Sequence, residues 1–275
     1  MKLKKIYRFD NNRQIWRIIP TEEGKLVIEE RNPELKQVYF HCLETESGKK
    51  IFKNFQLDDN FWVGIESIKN DIIFFHKFAK PDMPKHRGIF AYDIKSQNLI
   101  WENPELIYQF IYDDKLYAFK ERFEGKYFYS INPLDGEILE EIGDDHYSIN
   151  NLRNEAIIKG ENQVYLFPEI VRDGLLDDKR AIDLISKLKN DFVISGNVEF
   201  IIMNELLLLS FHEVSSNGNF NNLFKVVDLD KGKYILEEII NKEANLYLTD
   251  SFFVKENILF LLFGKTRLQV YKIIF

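Results

Sequence analysis

The sequence contains a single cysteine, Cys42, among its 275 residues, so no intramolecular disulfide can form. Together with a start, MKLKKIYRFDNN, that is basic but has no apolar stretch behind it, this points to a reducing cytoplasm. Long hydrophobic runs are also missing. The best candidates, Leu206–Leu209 and Ile258–Phe263, fall far short of the roughly 18 apolar residues that a membrane-spanning helix requires. No basic block is present either: 37 Lys and Arg face 44 Asp and Glu, for a net charge of -7. That balance disfavours nucleic acid as a partner, because neutralising phosphates supplies most of such affinity.

Histidine is scarce. His41, His76, His86, His146 and His212 are the full set, and none is paired at i, i+2 or i+4 with another. Helical or hairpin zinc spacing is therefore missing, and no metal or cofactor is expected. The doublets Asp58-Asp59, Asp113-Asp114, Asp144-Asp145 and Asp177-Asp178 lack calcium-loop spacing and read as turn or helix-cap chemistry. No nucleophile elbow, P-loop or dinucleotide fingerprint occurs.

What is present is aromatic: 24 Phe and 13 Tyr, residues suited to pleated, half-buried surfaces. The stretch from Phe61 to Asn103 reads as one complete four-stranded unit. Trp62–Ile68 alternates as a strand, Lys69-Asn70-Asp71 turns, and Ile72–Phe78 is a short apolar run. Ala79–Arg87 reads as a loop because it carries Pro81 and Pro84, Gly88–Ile94 as a third strand, and Leu99–Trp101 as the start of a fourth.

The last hairpin of that unit recurs, beginning at Glu44, Asp93, Asn132 and Asp228. Four residues on stand Gly48, Gln97, Gly136 and Gly232, where a tight turn calls for positive φ. The spacings correspond to a period of about 40 to 50 residues with one degraded copy, the pattern of propeller blades. Asp93-Ile94-Lys95-Ser96-Gln97-Asn98-Leu99-Ile100-Trp101 resembles the D-x-x-[ST]-G-x-x-x-W hairpin of quinoprotein-type propeller repeats, although it lacks the glycine and the other copies lack the tryptophan. The whole chain also resembles a family of bacterial cytoplasmic propeller-like proteins to which no activity attaches. The resemblance implies a fold and no chemistry.

The expected architecture is thus all-β: a single closed β-propeller over residues 1–275, of about six four-stranded blades, with five or seven as alternatives. Third strands are expected near Val38–Leu43, Gly88–Ile94, Lys126–Asn132, Val164–Phe167, Leu223–Leu229 and Leu268–Ile274. In the fourth unit, Asp177 or Asp178 caps an inserted helix whose apolar stripe is Ala181, Ile182, Leu184, Ile185 and Leu188. Tyr7–Trp16 reads as a hairpin, and ring closure is expected from the C-terminal strand pairing with Gln14–Ile19. Trp16, Trp62 and Trp101 are expected in blade packing.

Two groups of residues are candidates for function. Lys80, Lys85, His86 and Arg87 put cations on a loop of an otherwise acidic chain, and Glu213–Asn221 forms a second polar loop at the equivalent place. His76 and His212 share a position near the end of second strands. The favoured reading is a non-catalytic cytoplasmic scaffold binding a protein or small ligand through loops on one face. The rival is a propeller hydrolase or lyase with His76 and His212 in a central pocket. A quinone-cofactor dehydrogenase ranks last, since the metal-site residues are missing.

Overall fold

The computed structural model describes residues 1–80, 83–161, 165–172 and 174–275, with the backbone alone at 80, 83, 84, 160 and 161. The chain divides into two compact units, residues 14–163 and residues 1–13 with 164–275. Chain order begins with β1 (Lys2–Asp10), which belongs to the second of these units.

The 14–163 unit is built from three antiparallel four-stranded sheets. The first is β2 (Gln14–Pro20), β3 (Lys25–Asn32), β4 (Gln37–Glu44) and β5 (Lys50–Phe55). The second is β6 (Val63–Lys69), β7 (Ile72–Lys80), β8 (Met83–Asp93) and β9 (Asn98–Asn103). The third is β10 (Ile107–Tyr112), β11 (Lys115–Arg122), β12 (Gly125–Ile131) and β13 (Ile138–Gly143), followed by α1 (His146–Glu161).

Apolar runs without alternation explain how these sheets stack. Phe74 and Phe75 are adjacent in β7, point to opposite faces and are both fully buried. Phe75 joins Val27, Phe40, Cys42 and Val63 between the first two sheets, its ring meeting the Phe40 edge at 4.7 Å. Phe74 joins Ile89, Leu116 and Tyr129 against the third sheet. The far face of that sheet, with Phe110, Tyr117 and Phe128, is closed by Ile149 of α1. Asp145 caps this helix, accepting from Ser148 N at 3.0 Å.

The other unit continues with β14 (Tyr165–Leu166), β15 (Glu169–Ile170) and α2 (Lys179–Asp191). Then come β16 (Ile194–Met203), β17 (Leu206–Val214), β18 (Phe220–Asp228) and β19 (Lys233–Ala244). The last strands are β20 (Phe252–Lys255), β21 (Ile258–Phe263) and β22 (Arg267–Ile274). They form two five-stranded sheets, ordered β15-β16-β17-β18-β19 and β1-β22-β21-β20-β14. Leu208, Phe224, Val226, Phe252, Leu259 and Tyr271 make their shared core. As expected, α2 is capped by Asp178, and it seats Ala181, Ile185 and Leu188 on Leu207, Leu209 and Phe211. Ile182, expected in that stripe, is 40% exposed.

The described residues are thus mostly strand, in five antiparallel sheets, none of which closes on itself. Of the expected third strands, β4, β8 and β12 are third in their sheets, β18 and β22 stand fourth counted from the short strands β15 and β14, and the described residues 165–167 of Val164–Phe167 make no third strand. Of these, Tyr165–Leu166 only extends the sheet of β20, so no separate blade forms there. Terminal strands do share a sheet, but β22 pairs with Lys2–Asp10 rather than with Gln14–Ile19. Strand β2 instead opens the first sheet, which splits the expected Tyr7–Trp16 hairpin between two sheets. Trp16 is 56% exposed, so it is not a packing residue. Trp101 is: its Nε1 donates to Pro133 O at 2.8 Å.

Candidate functional site

In the expected Ala79–Arg87 loop, the described residues 79–80 and 83–87 are strand. The β7–β8 hairpin runs on through Lys77 opposite Arg87, Phe78 opposite His86 and Lys80 opposite Met83. Proline is tolerated at 84 because β9 pairs with β8 only from Ile89 onward, leaving the start of β8 with one neighbour. Of the candidate residues, the Lys80 side chain, with Pro81 and Asp82, lies outside what is described. The second expected loop, Glu213–Asn221, is likewise strand at both ends, leaving 215–219 as the connection.

Two irregularities in pairing shape the site. The register between β6 and β7 shifts between Ile65 and Ser67, making Glu66 the extra residue of a bulge. The register between β7 and β8 also shifts, so that the single residue His76 faces both Gly88 and Ile89 of β8. Bulges re-aim side chains, and here the one at Glu66 turns its carboxylate toward His76 and His86. The His76 and His86 rings stack at 3.6 Å, 8° from parallel. Phe78 stands edge-on to both, at 5.0 Å and 5.4 Å.

Glu66 Oε1 lies 2.6 Å from His86 Nδ1 and 3.0 Å from His76 Nδ1. Only the His86 contact is aligned as a hydrogen bond. His76, 1% exposed, has both ring nitrogens buried without a hydrogen-bond partner. Burial acts to raise the Glu66 carboxyl, but the neighbouring His76 and His86 outweigh it and hold the group below its ordinary range. Glu66 is therefore an acceptor at neutral pH, and the His86 proton sits on Nδ1. Burial pushes the His76 imidazole down, against the pull of Glu66. Burial also pushes the Tyr108 phenol up to about 12, and the charge of Glu66 adds to it.

Gly64 makes room for this arrangement. It pairs directly with His76, and a Cβ there would stand 2.9 Å from His76 Cε1 and 3.0 Å from Nε2. Behind it, two arginines of the first sheet secure β6, the edge strand of its own sheet. Arg31 donates to the carbonyls of Phe61 (3.1 Å) and Val63 (2.7 Å), and Arg17 donates to that of Ile65. Edge-strand carbonyls need such partners. Glu29, 1% exposed, takes Arg31 Nε at 2.6 Å and so neutralises that guanidinium.

The flanking cations are ion-paired on the surface. Lys85 meets Glu121, and Lys77 lies 2.6 Å from Asp58. Arg87 is exposed and lowers the Glu105 carboxyl, after the larger effect of Lys120. His212 belongs to the other unit, where its Nε2 accepts from Leu248 N at 3.0 Å and its ring faces Tyr247. Within the 14–163 unit, His76 lies with His86 and Glu66. Glu66 was legible only as an acidic residue in an otherwise apolar strand, two positions from a glycine.

Among solved structures, a hypothetical protein from Leishmania major is similar at 10% identity, with a TM-score of 0.29 over 96% of this chain and 86% of that one. A europium-containing methanol dehydrogenase is similar at 8% identity and TM-score 0.33, over 96% of this chain and 52% of that one. The Dos1 propeller is similar at 13% identity and TM-score 0.31, over 95% of this chain and 60% of that one. The chain therefore spans little more than half the length of the last two. No curated protein matches the sequence. Residues 19–101, a stretch that includes Glu66, His76 and His86, match a domain of unknown function, DUF4905.

Proposed function

We propose that the chain is a single closed propeller-type scaffold over residues 1–275. In this reading it works in a bacterial cytoplasm and binds a small ligand or a protein segment, without catalysis, at the β6–β8 end of its second sheet. One observation carries the reading: Glu66, His76 and His86 come together from three adjacent strands, beside the exposed Lys85 and Arg87. Buried polar groups are normally satisfied within the fold. A buried imidazole whose Nε2 has no hydrogen-bond partner, against a second imidazole that is half-exposed, is an arrangement suited to a ligand. The net charge of -7 keeps nucleic acid out of this proposal.

The test is a thermal-shift screen of the purified chain against metal ions, nucleotides, sugars and small anions, since a ligand well above its dissociation constant raises the midpoint. A stabilising compound should lose its effect in His86→Ala and keep it in His212→Gln. Stabilisation indifferent to His86 would move the site elsewhere. Loss only on neutralising Lys85 and Arg87 would place binding on the exposed cations instead.

A second reading, a hydrolase or lyase, draws on the Glu66–His86 hydrogen bond. A carboxylate holding Nδ1 leaves Nε2 of a half-exposed imidazole as the acceptor a general base needs. Turnover of a substrate that disappears in Glu66→Gln would favour it over simple binding.

A further inference from the structure

We propose that Glu66, His76 and His86 form a three-ligand site for a divalent transition-metal ion of the zinc type, with a further coordination position open on the half-exposed His86 side. This rests on the reading of the cluster as a ligand site and names what it takes.

The donor set is the first argument. Two imidazole nitrogens and one carboxylate oxygen suit zinc and its neighbours, whereas calcium and magnesium call for oxygen alone. Convergence is the second. The three ligand atoms all lie within 4.8 Å of one another, and Glu66 Oε1 is 2.6 Å and 3.0 Å from the two Nδ1 atoms. Sequence spacing gives no hint of this, because each ligand comes from a different strand and Glu66 sits on a bulge.

The third argument is independent of the cluster's composition. Nε2 of His76 is buried without a hydrogen-bond partner, and Gly64 gives up its side chain where that ring lies. Leaving a buried polar group unmatched is costly, and a protein tolerates it most readily where a ligand completes the bonding. Support from outside the ligands is also in place. Arg31 and Arg17 hold the β6 backbone on either side of Gly64, and Phe78 walls both rings on one side. Such outer contacts orient metal ligands. Three protein ligands, one of them half-exposed, make an open site rather than a closed structural one.

The test uses the full chain with any affinity tag removed. Zn2+ is titrated by calorimetry against a competing chelator, and Co2+ by its visible absorption. One ion per chain is expected, with a dissociation constant of about 10 µM or tighter, and a cobalt spectrum of low coordination number. His86→Ala and Glu66→Gln should each weaken uptake at least about tenfold, with far-UV dichroism and metal-free melting unchanged. Both are more exposed than His76, so the variants keep their fold while losing a ligand. Failure of the wild-type chain to take up one ion, or uptake that persists in both variants, overturns the metal site. If zinc fails while another compound from the thermal screen binds in a His86-dependent way, the binding site stands and only its metal is refuted.

Discussion

The lack of a side chain at position 64 decides where the His76 ring can lie. Gly64 has an ordinary extended backbone, so Gly64→Ala adds no torsional strain, only a Cβ 2.9 Å from the imidazole. Overpacking of this kind costs about 1–3 kcal/mol. Urea unfolding should show that loss, and the His76 ring resonances should shift. Arg31→Met tests the support behind the site. It strips the 2.6 Å partner from the buried Glu29, and breaking such a pair costs about 3–5 kcal/mol, less whatever Arg17 at 3.9 Å recovers. His212 makes a prediction in pH. Burial pushes its imidazole down, and Nε2 must stay unprotonated to accept from Leu248. Because the folded value lies below the unfolded one, about 6.5, stability is constant above that value. It falls as pH drops through it, while the unfolded chain takes up the proton first. Melting at about pH 7.5 and about pH 5.5 should show a larger loss in wild type than in His212→Gln. At this scale the sequence was only partly legible. His76 and His86 stood out as rare residues, but Glu66 did not, because a bulge changes which face a side chain takes and periodicity alone cannot reveal it.

Among the elements, the recurring hairpin was the most legible. Gly48, Gly136 and Gly232 adopt φ of 69°, 77° and 60°, and Gln97 follows them at 56°. The turn imposes that conformation whether or not the residue welcomes it. Gln97→Gly should therefore stabilise by up to about 1 kcal/mol, at the expense of an exposed 3.3 Å hydrogen bond to Ile51 O. Gly136→Ala should do the opposite. Its Cβ would meet Trp101 Cδ2 at 2.7 Å on top of the backbone strain, for a loss of about 1–3 kcal/mol. Thermal melts of the two variants, run side by side, check both signs. The helices divide in the same way. Helix α2 announced itself through an Asp cap and an apolar stripe. Helix α1 has Asn, Ser and Gly among its residues and, among its described side chains, only Ile149 fully buried, so neither propensity nor periodicity marked it. The β7–β8 hairpin is less legible, because Pro84 reads as a loop residue and its tolerance in a strand depends on how far the neighbouring strand β9 extends.

For the molecule as a whole, antiparallel sheets of four strands were readable from the repeat, and the one-sheet union of terminal strands was readable from the need to cover edges. Which strand does it was not. Two short runs compete for β22, and the choice of Lys2–Asp10 follows from Gln14–Pro20 having a better partner in β3. Deleting residues 1–10 should bare the edge of β22 and remove the buried Phe9. The truncated chain should melt earlier and associate with rising concentration in light scattering. A monomeric truncation with the wild-type midpoint would show that β1 is dispensable. No helix among the described residues is long and apolar enough to cross a membrane.

Pairing Asp10 with Arg267 also imposes an order on biosynthesis. Translation delivers β1 well before its partner, so this strand leaves the ribosome with its hydrogen-bonding groups unmet and stays so while the residues between them are made. Residues 14–163 are contiguous and can condense as they emerge. The sheet that holds β1 cannot be finished until β22 is free, which makes the nascent chain, rather than the mature protein, the form most exposed to mispairing.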